Sequence, residues 1–197
     1  MKAMRELYDV IVIGGGPAGL ASSIASKQNG AETLLIERES ELGGILKQCI
    51  HDGFGLTRYQ EKLTGPEYAY RDIEKIKELN VDVCLSTFVL DLNKENDLYN
   101  LVLTNEEGIH NVKTKAIVLA MGCRERTAKQ VFIHGDRPSG VFTAGTAQYL
   151  VNILGKQPAN KCVILGSGDI GLIMARRLTL EGVNVLGVYE AKDTPSG

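Results

Sequence analysis

Apolar positions in this chain fall into short continuous runs and alternating ones. Val10-Ile11-Val12-Ile13, Thr33-Leu34-Leu35-Ile36 and Ala116-Ile117-Val118-Leu119-Ala120 are continuous, the pattern of strands buried on both faces of a parallel sheet. Residues 81–92, 97–104 and 109–112 alternate apolar with polar, with turn signals at 93–96 and 105–108. They predict a three-stranded antiparallel meander inserted after a parallel strand. Residues 20–29 are small and polar and read as a helix, with Gly30 where a left-handed cap would stop it. A second helix opens at Pro66-Glu67. Ala69, Ile73 and Ile76 share one of its faces and its acids come early, so it reads as a surface helix that requires no chemistry. Residues 40–66 show no sustained period. So long a glycine-rich connection is expected to line a site, with Gly43-Gly44 admitting a flat ring near the backbone and Lys47, Gln48, Cys49 and His51 as the polar groups placed to face it.

The residues after the first run change the picture. Gly14, Gly16 and Gly19 stand at the G-x-G-x-x-G spacing where a buried strand turns into a helix. The first glycine makes the tight turn, the second lets a pyrophosphate approach the backbone, and the third lets helix and strand pack closely. The anion then meets free N–H groups at the positive end of the helix dipole. The next strand ends in Glu37, 18 residues beyond Gly19, close to where such a fold places the acid that accepts hydrogen bonds from both ribose hydroxyls. The whole pattern then returns. Lys161-Cys162-Val163-Ile164-Leu165 precede Gly166-Ser167-Gly168-Asp169-Ile170-Gly171, displaced by 152 residues from the first fingerprint, and Gly30 recurs as Gly182. The strand over 183–189 ends in Glu190, a second ribose acid once a one-residue insertion is allowed. An acid there repels a 2′-phosphate and favours NAD over NADP.

Composition narrows the class. With 197 residues, 44% hydrophobic and 23% charged, the chain suits one large or two small globular domains. A net charge of -2 offers no electrostatic case for nucleic acid. Apolar runs fall well short of the roughly 18 residues that span a bilayer, and MKAMRELYDV lacks the apolar core of a signal peptide, so a cytoplasmic location is expected. Cys49, Cys84, Cys123 and Cys162 are 35, 39 and 39 residues apart with no C-x-x-C pair and no His cluster, which points to neither a zinc site nor a disulfide framework.

Two fingerprints, with a meander and a strand ending in glycine between them, resemble the two-dinucleotide-binding-domain flavoproteins of the pyridine nucleotide-disulphide oxidoreductase superfamily. The resemblance implies an α/β fold: a Rossmann-like, three-layer FAD-binding domain with a parallel sheet and a β-meander over 1–126, then the start of a second Rossmann-like, NAD-binding domain over 127–197. LGGILKQCIHDGFG, MGCRERT and RPSGVFTAGTAQ look like a subgroup without a redox disulphide, which includes the FAD and NAD-binding subunits of sarcosine oxidase, opine oxidase and hydrogen cyanide synthase and oxidoreductases associated with glycerol 3-phosphate dehydrogenases. Carried over, the FAD pyrophosphate falls to Gly14, Gly16, Pro17, Ala18 and Gly19, and the adenosine to Glu37 and Arg38, with the Thr87 backbone offered to the adenine. Gly44, Gln48, Ala120 and Gly122 would lie near the flavin, although Met121 departs from the family's usual threonine. Gly166, Gly168, Asp169, Ile170, Gly171 and Glu190 would form the NAD site. No catalytic residue is assigned; Gly44, Lys47, Gln48, Cys49 and Cys123 are the candidates near the flavin.

In thioredoxin reductases a C-x-x-C lies where this chain has Ala144 and Ala147, and glutathione-reductase-like members carry a cysteine pair in the long loop, where only Cys49 stands. The resemblance therefore implies hydride transfer between nicotinamide C4 and flavin N5, with electrons leaving to a small-molecule or protein acceptor or a partner oxidoreductase subunit. Alternatives are a non-catalytic dinucleotide-binding or subunit-interface module, and a flavoprotein cycling a single sulfenic acid at Cys49 or Cys123. Arg124, Glu125 and Arg126 read either as a clamp for an anionic substrate or as a solvated salt-bridge cluster. Only seven residues follow Glu190, so the chain is expected to be the N-terminal part of a longer protein, with its second domain incomplete and without the segment that returns to the FAD domain.

Overall fold

β1 (Leu7–Ile13) is the strand around which the first part of the computed structural model is built. The structure describes residues 4–136 and 138–195, and the chain divides into two units, Met1–Cys123 and Arg124–Gly197. After β1 the first unit runs through α1 (Pro17–Gln28), β2 (Thr33–Ile36), a short 3-10 helix (Gly44–Gln48), β3 (Asp52–Phe54), β4 (Leu63–Thr64), α2 (Gly65–Glu78), β5 (Asp82–Cys84), β6 (Phe88–Glu95), β7 (Leu98–Asn105) and β8 (Gly108–Leu119). One six-stranded sheet results, in the order β5-β2-β1-β8-β7-β6. Its first four strands are parallel and its last three form the antiparallel meander.

The continuous apolar runs split by parity onto the two faces of this sheet. Ile11, Ile13, Leu34 and Ile36 pack with Leu101, Leu103 and Val112 of the meander, while Val12 and Leu35 pack with Leu20 and Ile24 of α1 and Ile76 of α2. Fully burying one such side chain contributes about 1.5–3 kcal/mol, so the Val10–Ile13 run of β1 is held from both faces.

Three expectations change. The alternating stretch 81–92 is two strands: Ser86 takes φ +49, and the Ser86 and Thr87 N–H groups donate to the carbonyls of Glu39 (2.9 Å) and Glu37 (3.0 Å). β5 thereby pairs in parallel with β2, and only β6 enters the meander. The third meander strand and the run 116–120 are one strand, β8. Residues 116–120 are only partly buried, with Ala116 and Leu119 exposed, because β7 pairs with β8 no further than Thr114. α2 also holds more than an apolar stripe. Its Asp72, 1% exposed, accepts hydrogen bonds on one carboxylate oxygen from Arg58 Nη2 and Tyr59 Oη, both at 2.7 Å, and so ties the tip of the β3–β4 connection to the helix.

The second unit contains α3 (Ala144–Asn152), β9 (Lys161–Leu165), α4 (Asp169–Leu180) and β10 (Asn184–Tyr189), with β9 and β10 parallel. Its core joins Val151 of α3, Met174 and Leu178 of α4, and Val183. The register of this pair explains the extra residue before Glu190. Cys162 pairs with Val185 as Val10 pairs with Thr33, but the register then slips between Val185 and Gly187, so that Leu165 meets Tyr189. Leu186 is the inserted residue. A bulge restores the phase, so Glu190 follows the last strand pair as Glu37 does in the first unit.

Candidate functional site

In the first unit the strand-to-helix turn is built from glycine because backbone occupies the space a side chain would need. Gly14 has φ +108, and a Cβ there would lie 2.4 Å from the Ala120 carbonyl oxygen; a Cβ on Gly19 would lie 1.7 Å from the Gly14 carbonyl oxygen. A Cβ on Gly16 would meet only the Gly44 Cα, at 4.0 Å. Gly16 caps α1 without any side-chain hydrogen bond, Pro17 opens the helix, and the first turn holds no acid. The amides at this helix end thus remain available to an anion, as a dinucleotide pyrophosphate requires. Ala18 stands exposed on the same turn.

Glu37, 7% exposed, lies beside this turn. Its Oε2 accepts the Gly15 N–H at 2.6 Å and its Oε1 the Glu39 N–H at 2.9 Å. Arg38 points outward and pairs with Glu39 at 3.2 Å. The long connection docks on the turn through backbone: the Gly43 N–H donates to the Gly15 carbonyl at 2.8 Å, and a Cβ on Gly44 would stand 2.8 Å from Gly16 Cα. On the other side the Ala120 N–H donates to the Ile13 carbonyl at 2.8 Å, and Gly122 follows with φ +67 and open space around it. Gly14, Gly16, Gly19, Glu37, Gly44 and Ala120 therefore converge on one turn, whose glycines and unblocked helix end are of the kind a pyrophosphate needs.

Other predicted residues have different places. The Thr87 N–H is committed to the Glu37 carbonyl, so any backbone service to an adenine falls to the Thr87 carbonyl. Gln48 and Cys49 are buried, Lys47 lies 3.7 Å from Glu41, and His51 stacks near Phe54 with centroids 5.3 Å apart. Burial pushes the Cys49 thiol up from its ordinary value, which works against a reactive thiolate there. Cys123 is exposed, and all four cysteines are free. Among the described residues no group of three or more His, Cys, Asp or Glu could hold a metal, and no helix is long and apolar enough to cross a membrane.

The second unit repeats the construction. Gly166 has φ +102, a Cβ on Gly171 would lie 2.2 Å from the Gly166 carbonyl oxygen, and Gly168 caps α4 with no side-chain bond. Asp169 is acidic in the first turn of α4, and Ile170 is 45% exposed. Glu190 Oε2 accepts from the Ser167 N–H (2.9 Å) and hydroxyl (2.6 Å), and its Oε1 from the N–H groups of Ala191 (2.8 Å) and Lys192 (3.2 Å). The Ser167 hydroxyl and then its amide hold this carboxyl down at about 2. Glu125, expected in a charge cluster, instead bonds to the Thr143 hydroxyl and accepts the Gly145 N–H at 2.8 Å, capping α3. Arg137 of the RPSGVFTAGTAQ motif lies outside the described residues. Spacing offered no signal for the Asp72 anchor, the Glu125 cap or the Ser167 contact, because each joins segments distant in sequence.

The parallel-sheet core with its glycine turns and strand-end acids is the architecture of Rossmann-like, dinucleotide-dependent oxidoreductases. The chain belongs to the pyridine nucleotide-disulphide oxidoreductase family, whose pattern matches residues 8–194. It is 33% identical over 186 residues to the HcnB component of hydrogen cyanide synthase from Pseudomonas protegens, covering 92% of this chain and 38% of the relative. To an opine oxidase subunit from Agrobacterium tumefaciens it is 29% identical over 200 residues, covering 98% of this chain and 38% of the relative. Among solved structures, L-proline dehydrogenase from P. horikoshii superposes with a TM-score of 0.75 at 23% identity, over 92% of this chain and 35% of that one, and shows the shared fold. The chain thus spans under two fifths of the length of these curated relatives.

Proposed function

We propose that this chain is the dinucleotide-binding part of a flavoprotein oxidoreductase, with FAD on the first unit and NAD(H) on the second, working without a redox disulphide. Glu37 carries the reading: it is a buried acid held against the glycine turn by two backbone N–H groups, with acceptor capacity left for the two hydroxyls of a ribose. When bound, the two cofactors supply hydride transfer between nicotinamide C4 and flavin N5. The chain's own residues bind and orient. The α1 amides face a pyrophosphate, the Gly43-Gly44 and Ala120–Gly122 backbones border the space beside it, and Glu190 accepts from the second ribose. The negative charge of Glu190 opposes a 2′-phosphate, which favours NAD over NADP. Four free thiols, with Cys49 buried, support electron exit to an acceptor other than a disulphide of this chain. Two relatives are named as subunits, which supports electrons passing to or from a partner subunit.

Purified full chain is expected to be yellow or to take up added FAD, and its flavin absorbance to bleach with NADH in the absence of any disulphide substrate. Glu37→Ala should lose FAD, by about tenfold or more in affinity for two charge-assisted hydrogen bonds, while Cys49→Ser keeps it. Colourless protein that takes up no FAD would leave a non-catalytic module and overturn the proposal.

A further inference from the structure

The two strand-end acids are held by the same turn position, and Glu190 gains a hydroxyl there, from Ser167, besides one further amide, that of Ala191. An ionised carboxylate offers about four lone-pair positions. Glu37 uses two, one for the Gly15 N–H and one for the Glu39 N–H. Glu190 receives at least four donors, two of them from Ser167, which stands where Gly15 stands in the first unit. A ribose approaching Glu37 finds acceptor capacity waiting. At Glu190 it has to displace the Ser167 hydroxyl, which sits 2.6 Å from Oε2.

We infer that the Ser167 hydroxyl competes with the adenosine ribose for Glu190, making Ser167 the residue that keeps pyridine nucleotide weakly held and exchangeable on the second unit. The inference rests on the assignment of NAD(H) to that unit. A ribose hydroxyl can take the place of the Ser167 hydroxyl on Oε2 only by breaking this hydrogen bond, so the bond subtracts from affinity. A second feature acts in the same direction. The first turn of α4 begins with Asp169, whereas α1 begins with Pro17 and carries no acid, so the positive end of the α4 dipole is partly offset where a pyrophosphate would sit. A nucleotide that delivers a hydride and leaves must be released at every turnover, whereas a resident flavin must not.

The test is titration calorimetry of the full chain with NADH, and with an NADH analogue lacking the adenosine 2′-hydroxyl, on wild type, Ser167→Ala, Ser167→Gly, Ser167→Thr and Glu190→Ala, with FAD content and circular dichroism reporting the fold. Removing the hydroxyl should tighten NADH roughly fivefold, the scale of one hydrogen bond. Ser167→Thr, which keeps the hydroxyl, should stay near wild type, and the gain should shrink with the 2′-deoxy analogue. FAD binding should not change. NADH affinity in Ser167→Ala and Ser167→Gly that equals or falls below wild type, with Glu190→Ala weakened, would overturn the inference alone. NADH binding that is indifferent to Glu190→Ala, or absent from wild type and both hydroxyl-free variants, would overturn the assignment of the site as well.

Discussion

Single residues set the shape of both turns. Gly19 and Gly30 are both glycines of the first unit, but only Gly19 is constrained by contact: its Cβ would meet the Gly14 carbonyl oxygen at 1.7 Å, whereas nothing lies within 4 Å of Gly30, which has φ +83. Gly19→Ala is therefore expected to cost about 3 kcal/mol and Gly30→Ala about 1 kcal/mol from the left-handed backbone alone, measured by urea unfolding. Glu190 gives a pH dependence whose sign follows from its depressed value. The carboxyl is held at about 2 against an ordinary 4.5, so its hydrogen bonds stabilise the second turn fully above the ordinary value and are lost as pH falls through the range down to about 2. Carboxyl NMR should place its midpoint near that lower value in wild type and move it upward in Ser167→Ala. An unmoved midpoint would mean the hydroxyl is not its partner.

Elements are stopped, started and aimed by a few local devices. α2 begins with a capping box in which Thr64 and Glu67 exchange hydrogen bonds, the Thr64 N–H reaching Glu67 Oε2 at 2.8 Å and the Glu67 N–H the Thr64 hydroxyl at 3.4 Å. Thr64→Ala should destabilise the first unit by about 1 kcal/mol in chemical denaturation, and Thr64→Ser by much less. The box also holds down the end of the long connection, whose tip is tied to the same helix by Arg58, Tyr59 and Asp72. α3 takes its starting acceptors from Thr143 and from Glu125, an acid 20 residues before the amide of Gly145 that it binds. In β10 the bulge at Leu186 is the device that matters for the site. Without it Glu190 would fall one residue out of step with the glycine turn.

The two units differ in how completely they cover their sheets. In the first, apolar side chains pack on both faces of the parallel strands. In the second, α3 and α4 cover the face carrying Cys162, Ile164 and Val185, while Val163 is 53%, Leu165 66% and Leu186 61% exposed. A two-stranded sheet covered on one side is weakly protected. Amide exchange in β9 and β10 should therefore run about a hundredfold faster than in β1 and β2, a difference of ~3 kcal/mol in opening free energy. Equal protection in the two units would contradict this picture.

Local pattern alone was enough for β1, β2 and β7, both glycine turns, both acids and the family, because each depends on residues adjacent along the chain or on a repeat at fixed offset. Apolar runs must be buried and glycine alone tolerates the turn, so both leave a local trace. The rest lies between segments distant in sequence and was settled by packing. Packing split residues 81–92 between two parts of the sheet, joined the third meander strand to the run 116–119, buried Asp72 beneath Arg58 and Tyr59, and set Glu125, read as part of a clamp or salt-bridge cluster, at the start of α3 as a cap. Periodicity records which face a residue presents, not which partner meets it. The hydroxyl of Ser167 shows the difference most plainly: the sequence places a serine inside a fingerprint, and the fold alone brings it to Glu190 across 23 residues.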